Sequence, residues 1–314
     1  MEFGKKGRVV LYSSMQESQL KAIEAAFEAK HPDIDLEYFF AGGGKIIERL
    51  GHEAGDGKPV CDVVWIGDSS DFVTFKEKGM LEAYESPECA HIPAAFCDAD
   101  HYFTAGRLVT MGIAWNKDPG RGIDQSEVPK TWNDLLDPKW KGRVIMTDPE
   151  QSTTSKHWMG AMMQNPDYGP AFFEGLYANA CTLGQDSTTT HSLVADGSYQ
   201  VGICLDYFSR NLADEGFPIG FRYTDGDVLT LQSPLALVKN APNRKNGRLL
   251  IDFILSKEGQ ELLAKSHMIP VRDDVKSNVD TRTLAQKNMA VDYHKLGEEL
   301  NKSYLVEFNR IWKR

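Results

Sequence analysis

Small hydroxyl residues cluster at three places, Ser13-Ser14, Ser152-Thr153-Thr154 and Ser187-Thr188-Thr189-Thr190, each directly before a helical pattern. Any one of them reads most simply as a helix cap. Together they form a set of neutral donors, and each helix start adds backbone N–H groups and partial positive charge, the chemistry that holds an anion. Gly42-Gly43-Gly44-Lys45 fits the same purpose, because glycine lets backbone N–H groups come close to an anion. It is not a phosphate loop ending in Gly-Lys-Ser/Thr, and Ile47 stands where a dinucleotide fingerprint needs its third glycine. A flexible strand-to-helix turn is an equal reading of Gly43 and Gly44. Asp68, followed by Ser69, and Asp206-Tyr207 each close a strand-like run. Turn chemistry and packing are their plain reading; recognition of a cationic or hydroxyl group, or of a hard metal ion, is the functional one.

Other chemistries are poorly served. His31, His52, His91, His101, His157, His191, His267 and His294 never fall in a metal-ligand spacing such as His-Glu-x-x-His. They read as surface or internally satisfied residues, with His191, just inside the Thr-rich helix start, the one to watch. There is no Gly-x-Ser-x-Gly elbow, no kinase set and no evident Cys/His pairing, so nothing calls for an enzyme. The five cysteines are an odd number without a Cys-x-x-Cys spacing, which argues against a disulfide framework and a zinc ribbon. Cys61, Cys181 and Cys204 lie in or beside strand-like runs and read as buried thiols. Cys89 and Cys97 would suit a loop disulfide in an oxidising compartment; sequence leaves that open.

The elements that must position these residues are those of an α/β protein. The chain has 314 residues, enough for two domains. Its 35 basic against 45 acidic side chains leave a formal charge of −10, unsuited to nucleic acid or an anionic membrane surface. No apolar run approaches the roughly 20 residues of a membrane helix. Residues 1–6 include Lys5 and Lys6 but have no apolar stretch behind them, so a signal peptide is not expected. Strands are expected over 8–12, 34–40 and 61–66, each ending in a Ser, Gly or Asp loop that opens a helix. Ser14-x-x-Glu17 matches a capping box before the first of these helices. A long strand over 101–116 crosses to a second lobe, with a hinge near Thr110. That lobe repeats the plan with strands over 144–147 and 200–205, and 229–238 is the return crossing. Helices follow over 243–255 and 257–265, and the last 35 residues read as a long helical tail. The expected architecture is two α/β lobes joined by two hinge strands, with the ligand cleft between them. Lobe 1 takes 1–109 and 230–275, lobe 2 takes 110–229, and 276–314 is a helical segment packing on the lobes.

Several motifs, in order, resemble one family. They are Val9-Val10-Leu11-Tyr12-Ser13-Ser14, Gly42-Gly43-Gly44 with Glu48-Arg49-Leu50, Cys61-Asp62-Val63-Val64-Trp65 and Thr131-Trp132-Asn133-Asp134-Leu135-Leu136. Pro138-Lys139-Trp140-Lys141-Gly142-Arg143-Val144, Ala195-Asp196-Gly197, Ser256-Lys257-Glu258-Gly259-Gln260 and Ile269-Pro270-Val271-Arg272 complete the series. Individually weak and jointly specific, they resemble the type 2 solute-binding proteins of bacterial ABC importers. The nearest look is to the branch of ferric-ion, 2-aminoethylphosphonate and sugar-phosphate binders.

The resemblance implies two lobes that close on a ligand held by strand-end loops, export to the periplasm or cell surface with the signal removed, and a membrane permease as partner. It implies no cofactor and no catalysis, and the protein is expected to be a monomer. The ferric members resembled here carry adjacent tyrosines where this chain has Tyr207-Phe208, and some carry a histidine where this chain reads Ser14-Met15-Gln16. One phenolate is therefore missing, and Asp68, Asp206 and Tyr207 alone are a thin ferric set. The expected ligand is a small phosphorylated or phosphonate anion, held by Ser13, Ser14, Gly43, Gly44, Asp68, Ser69, Thr153, Thr154, Ser187, Thr188, Thr189, Asp206 and Tyr207. Ferric ion is the alternative within the fold, and an α/β enzyme acting on a phosphorylated substrate the alternative outside it.

Overall fold

The structure is a computed structural model and describes residues 7–313. Residues 1–6, on which the signal-peptide reading rests, lie outside the described residues, as does the side chain of His294. In chain order the regular elements begin with β1 (Gly7–Ser13), α1 (Glu17–Lys30), β2 (Ile34–Phe40), α2 (Gly43–Gly55), β3 (Val63–Trp65), α3 (Ser69–Glu77), β4 (Leu81–Glu82) and β5 (Thr104–Asn116). They continue with β6 (Val144–Thr147), α4 (Thr153–Gln164), α5 (Gly169–Ala178), β7 (Thr182–Gly184), α6 (Ser187–Ala195), β8 (Val201–Leu205), α7 (Asp206–Asp214) and β9 (Ile219–Arg222). The remainder is β10 (Thr230–Val238), α8 (Arg244–Leu255), α9 (Lys257–Lys265), α10 (Thr281–Lys287), α11 (Tyr293–Glu299) and α12 (Leu305–Trp312). Two compact units result, Met1–Leu108 with Gln232–Asn278, and Val109–Leu231 with Val279–Arg314. β5 and β10 are the strands in which the chain passes from one unit to the other.

In the first unit β1 pairs in parallel with β2 on one side and β3 on the other, and β10 pairs antiparallel with β3. A strand paired on both edges and covered on both faces needs a continuous apolar run, which Val9-Val10-Leu11-Tyr12 supplies. Val10 and Tyr12 join Ile46, Leu50, Val64, Phe72 and Phe75 in one core cluster. Elsewhere in the unit Phe27 of α1 meets Phe253 of α8 edge-on at 5.7 Å between ring centres. The buried Asp62 carboxylate accepts the N–H groups of Val10 at 2.8 Å and Asn243 at 2.6 Å, fixing the entrance to α8 against β1.

In the second unit β8 pairs with β5 antiparallel and with β6 in parallel, β6 pairs with β7, and β9 pairs with β5. In its aromatic core Trp132 meets Trp158 edge-on at 5.1 Å between ring centres, and Phe173 meets Phe308 edge-on at 5.4 Å, so the C-terminal helices are part of this unit. A side-chain carbon on Gly160 of α4 would come within 2.6 Å of both Leu296 and Leu300, so the glycine admits the tail.

Four local expectations are corrected. The Ser14–Glu17 capping box does not form: Gln16 takes the N-cap position of α1 without a side-chain cap, and its amide oxygen accepts from Gln19 instead. The crossing strand begins at Thr104, because His101 has φ +62° and sits in a turn that extended backbone cannot include. The third strand is shortened to Val63–Trp65, since the Asp62 carboxylate binds the neighbouring backbone. The tail is not one helix. Asp280 caps Thr283, Met289 donates to the Val228 carbonyl at 2.8 Å, and Asp292 caps Lys295, so the chain stops, pairs and restarts.

Candidate functional site

Every parallel strand ends by delivering its chain to a helix start, and the expected site residues occupy those junctions. In the first unit Ser13 is buried at the end of β1, and its hydroxyl accepts the Met15 N–H at 3.2 Å; half-buried Ser14 follows. Gly43 and Gly44 open α2 after Gly42, with no side-chain cap and no acidic residue in the first turn. The first N–H groups of a helix have no partner within it, so this start presents uncapped donors. Asp68 is buried and caps α3, one oxygen accepting the Ser70 N–H at 2.8 Å. Ser69, beside it, donates to the Gln232 amide oxygen at 3.4 Å.

In the second unit the two Ser/Thr loops, far apart in sequence, are brought together. The Ser187 hydroxyl donates to Ser152 at 3.4 Å, joining the starts of α6 and α4. Beneath them Thr147 donates to Thr190 at 3.0 Å, Thr190 to the Asp186 carbonyl at 2.8 Å, and Ser155 to the Thr147 carbonyl at 2.7 Å. These inward hydroxyls are scaffolding. Ser187 and Thr189 are half-buried and Thr188 exposed at the start of α6, while Thr153 is buried and Thr154 half-buried at the start of α4. Ser152 caps Ser155 at 3.3 Å. The exposed Asp186 caps Thr189 at 2.6 Å and places a carboxylate beside α6. A short, polar residue before Ser187 signals such a cap, a sign the sequence reading passed over.

Both helices carry a histidine one turn in, whose Nδ1 reaches the carbonyl of the first helical residue: His157 to Thr153 at 2.7 Å, His191 to Ser187 at 2.6 Å. His191 Nε2 accepts the Leu205 N–H at 2.9 Å, so the neutral ring carries its proton on Nδ1. The ring stacks on Phe208 at 4.2 Å, and burial pulls its pKa down to about 4. It is a rigid internal brace between α6 and the end of β8.

Asp206 and Tyr207 open α7 at the end of β8 and are both buried. Asp206 is 1% exposed; Oδ1 accepts the N–H of Tyr207 at 2.7 Å and of Thr110 at 3.4 Å, and Oδ2 accepts the Tyr223 hydroxyl at 2.9 Å. Burial pushes its carboxyl up to about 6, against the pull of these donors and of Arg210. Arg210, one turn along α7, lies over the rings of Phe221 and Tyr223 at 5.4 and 5.6 Å. Neither Tyr223 nor Arg210 was foreseen; an acid and a base four residues apart on a helix was the available sign for Arg210. Among the described residues, no group of three or more His, Cys, Asp or Glu side chains is arranged to hold a metal ion.

The sequence model of the bacterial extracellular solute-binding proteins matches residues 8–269. The chain is 26% identical over 260 residues to a putative 2-aminoethylphosphonate-binding periplasmic protein of Salmonella typhimurium, covering 78% of this chain and 72% of the relative. It is 28% identical over 274 residues to an uncharacterised protein of Haemophilus influenzae, covering 83% and 76%. Among solved structures it is similar to the periplasmic binding protein AfuA of Actinobacillus pleuropneumoniae with fructose-6-phosphate bound, at TM-score 0.87 and 26% identity over 98% of this chain and 99% of that one. Iron-bound HitA of Pseudomonas aeruginosa shares the fold at TM-score 0.82 and 20% identity, over 97% and 99%. A family match spanning most of the chain, on a fold of two α/β units with strand-end donors, places this protein in the bacterial extracellular solute-binding family, the periplasmic binding proteins of ABC importers.

Proposed function

We propose that this protein binds a small phosphorylated or phosphonate organic anion outside the cytoplasm and delivers it, unchanged, to the permease of an ABC importer. The observation that carries the reading is the junction of the α4 and α6 starts through Ser152 and Ser187, which gathers Thr153, Thr154, Ser187, Thr188 and Thr189 in one unit. The uncapped glycine start of α2 supplies a second set of N–H donors in the other unit. A desolvated anion requires several such donors at once. Two similar proteins, one holding fructose-6-phosphate and one described as a 2-aminoethylphosphonate binder, support the ligand class. Ser13, Ser14 and Ser69 are further hydroxyl donors in this reading. Asp68, Asp206 and Tyr207 meet the hydroxyl or ammonium end of the ligand. Binding proceeds by hinge closure of a monomer.

Titration calorimetry with 2-aminoethylphosphonate, fructose 6-phosphate, inorganic phosphate and ferric citrate, with native mass spectrometry of the purified chain, tests this. Saturable binding of an organic phosphate or phosphonate recovered intact, with a smaller radius of gyration in scattering at saturation, is the expected result. Stoichiometric iron with no anion binding overturns the ligand class, and turnover of the anion overturns the non-enzymatic reading.

A further inference from the structure

The cysteines do not share one environment. Cys61, Cys181 and Cys204 are buried, whereas Cys89 and Cys97 are half-buried and belong to one loop of the first unit. Cys89 sits on the short 3-10 helix Pro87–His91, and Cys97 follows the turn Ala94–Phe96 and bridges to the backbone of Thr104 at the start of β5. The Thr104 hydroxyl lies 3.7 Å from Cys89 Sγ, and Cys97 pairs through its backbone with the same Thr104, so both cysteines converge on one residue. The segment is held in place from behind. Ser86 donates to Asp252 at 2.6 Å, and the buried Arg272 donates to Glu88 at 2.6 Å.

We propose that Cys89 and Cys97 form a disulfide once the chain is outside the cytoplasm, closing the loop that leads into β5. The oxidant is an extracytoplasmic disulfide, carried by a protein or a small thiol compound. The Cys89 thiolate attacks one sulfur of the donor, forming a mixed disulfide and releasing one donor thiol. The Cys97 thiolate then attacks the Cys89 sulfur and releases the second donor thiol. Two electrons pass to the donor, and the two cysteine protons end on its thiols. Burial, with Cys89 alongside, pushes the Cys97 thiol up to about 11. A thiol so reluctant to ionise is a poor leaving group, so the bond, once formed, is cleaved slowly by attack at Cys89.

The test uses the chain exported to a bacterial periplasm, unfolded without reductant and treated with iodoacetamide. Three of the five cysteines should be labelled, the intact mass should be lower than that of the reduced chain by two hydrogen atoms, and digestion should yield Cys89 and Cys97 peptides joined. Labelling of all five overturns the proposal. The Cys89→Ser chain should be labelled at every remaining cysteine, and an internal disulfide persisting there overturns it equally. The count on the unsubstituted chain decides the matter even if the variant does not fold.

Discussion

Tyr223 donates its hydroxyl to Asp206 at 2.9 Å, tying the residue that follows β9 to the first residue of α7. His191 braces the same junction from its other side through the Leu205 N–H at 2.9 Å. The two titrating groups act in opposite senses. Asp206, raised to about 6, keeps its proton in the folded protein over a range where the unfolded chain has lost it, so its contribution to stability is present at pH 4 and falls as pH rises toward 6. His191, lowered to about 4, is neutral when folded while the unfolded chain is protonated, so its contribution rises between pH 4 and 6.5. Each amounts to at most about 3 kcal/mol across its window, and the two largely cancel. Urea midpoints measured from pH 4 to 6.5 should therefore slope upward with pH in Asp206→Asn relative to the unsubstituted protein, and downward in His191→Gln. Parallel slopes in all three chains would refute the assignment.

Gly184 ends β7 directly over Thr190, and a side-chain carbon there would collide with the Thr190 hydroxyl. Thr190 bonds Thr147 and the Asp186 carbonyl, so it cannot rotate away without breaking both. Gly184→Ala should destabilise the protein by about 1–3 kcal/mol, as overpacking a filled interior does. It should also weaken anion binding by displacing the start of α6. A variant as stable as the parent would show that this layer of hydroxyls can repack.

Thr154 and Ser187 stand at the starts of α4 and α6 with hydroxyls outside the internal scaffold of Thr147, Ser155 and Thr190. Removing one hydroxyl that bonds a charged group should weaken binding by roughly 1.5–3 kcal/mol, about ten- to hundredfold. Calorimetry on Thr154→Ala and Ser187→Ala with 2-aminoethylphosphonate or fructose 6-phosphate reads this directly. Wild-type affinity in both would leave these residues as helix-start hydroxyls with no ligand.

The strand ends were legible because parallel, doubly covered strands need uninterrupted apolar runs such as Val9-Val10-Leu11-Tyr12, and a helix start follows each. What escaped the sequence reading depends on distant partners. The Ser152 and Ser187 loops read as members of one donor set, but their direct contact was not legible; only the pairing of β6 with β7 and β8 brings their helices side by side. Tyr223 meets Asp206 because β9 pairs with β5, a register no local pattern announces. The tail looked like one helix because its apolar spacing is helical throughout, while the break at Met289 is made by a hydrogen bond to Val228. Ser14 and Glu17 had the right types and spacing for a capping box, but Gln16 took the cap position.

Tyr207 separates the two ligand classes. It is buried at the start of α7 beside Phe208, which has no oxygen to take its place. In an organic-anion binder the phenol contributes one neutral hydrogen bond, so Tyr207→Phe should weaken binding by only about 0.5–1.5 kcal/mol. In a ferric-ion binder the same oxygen would be a phenolate ligand. The purified protein would then be coloured by charge transfer, and the substitution would abolish both colour and metal. Absorbance scans of the protein and of Tyr207→Phe with ferric citrate, beside calorimetry with 2-aminoethylphosphonate, distinguish the outcomes. A colourless protein that gains no band with iron, and a variant only a few-fold weaker for the organic anion, are the expected results. A visible band lost on removing this one oxygen would move the protein to the iron-binding side of its family.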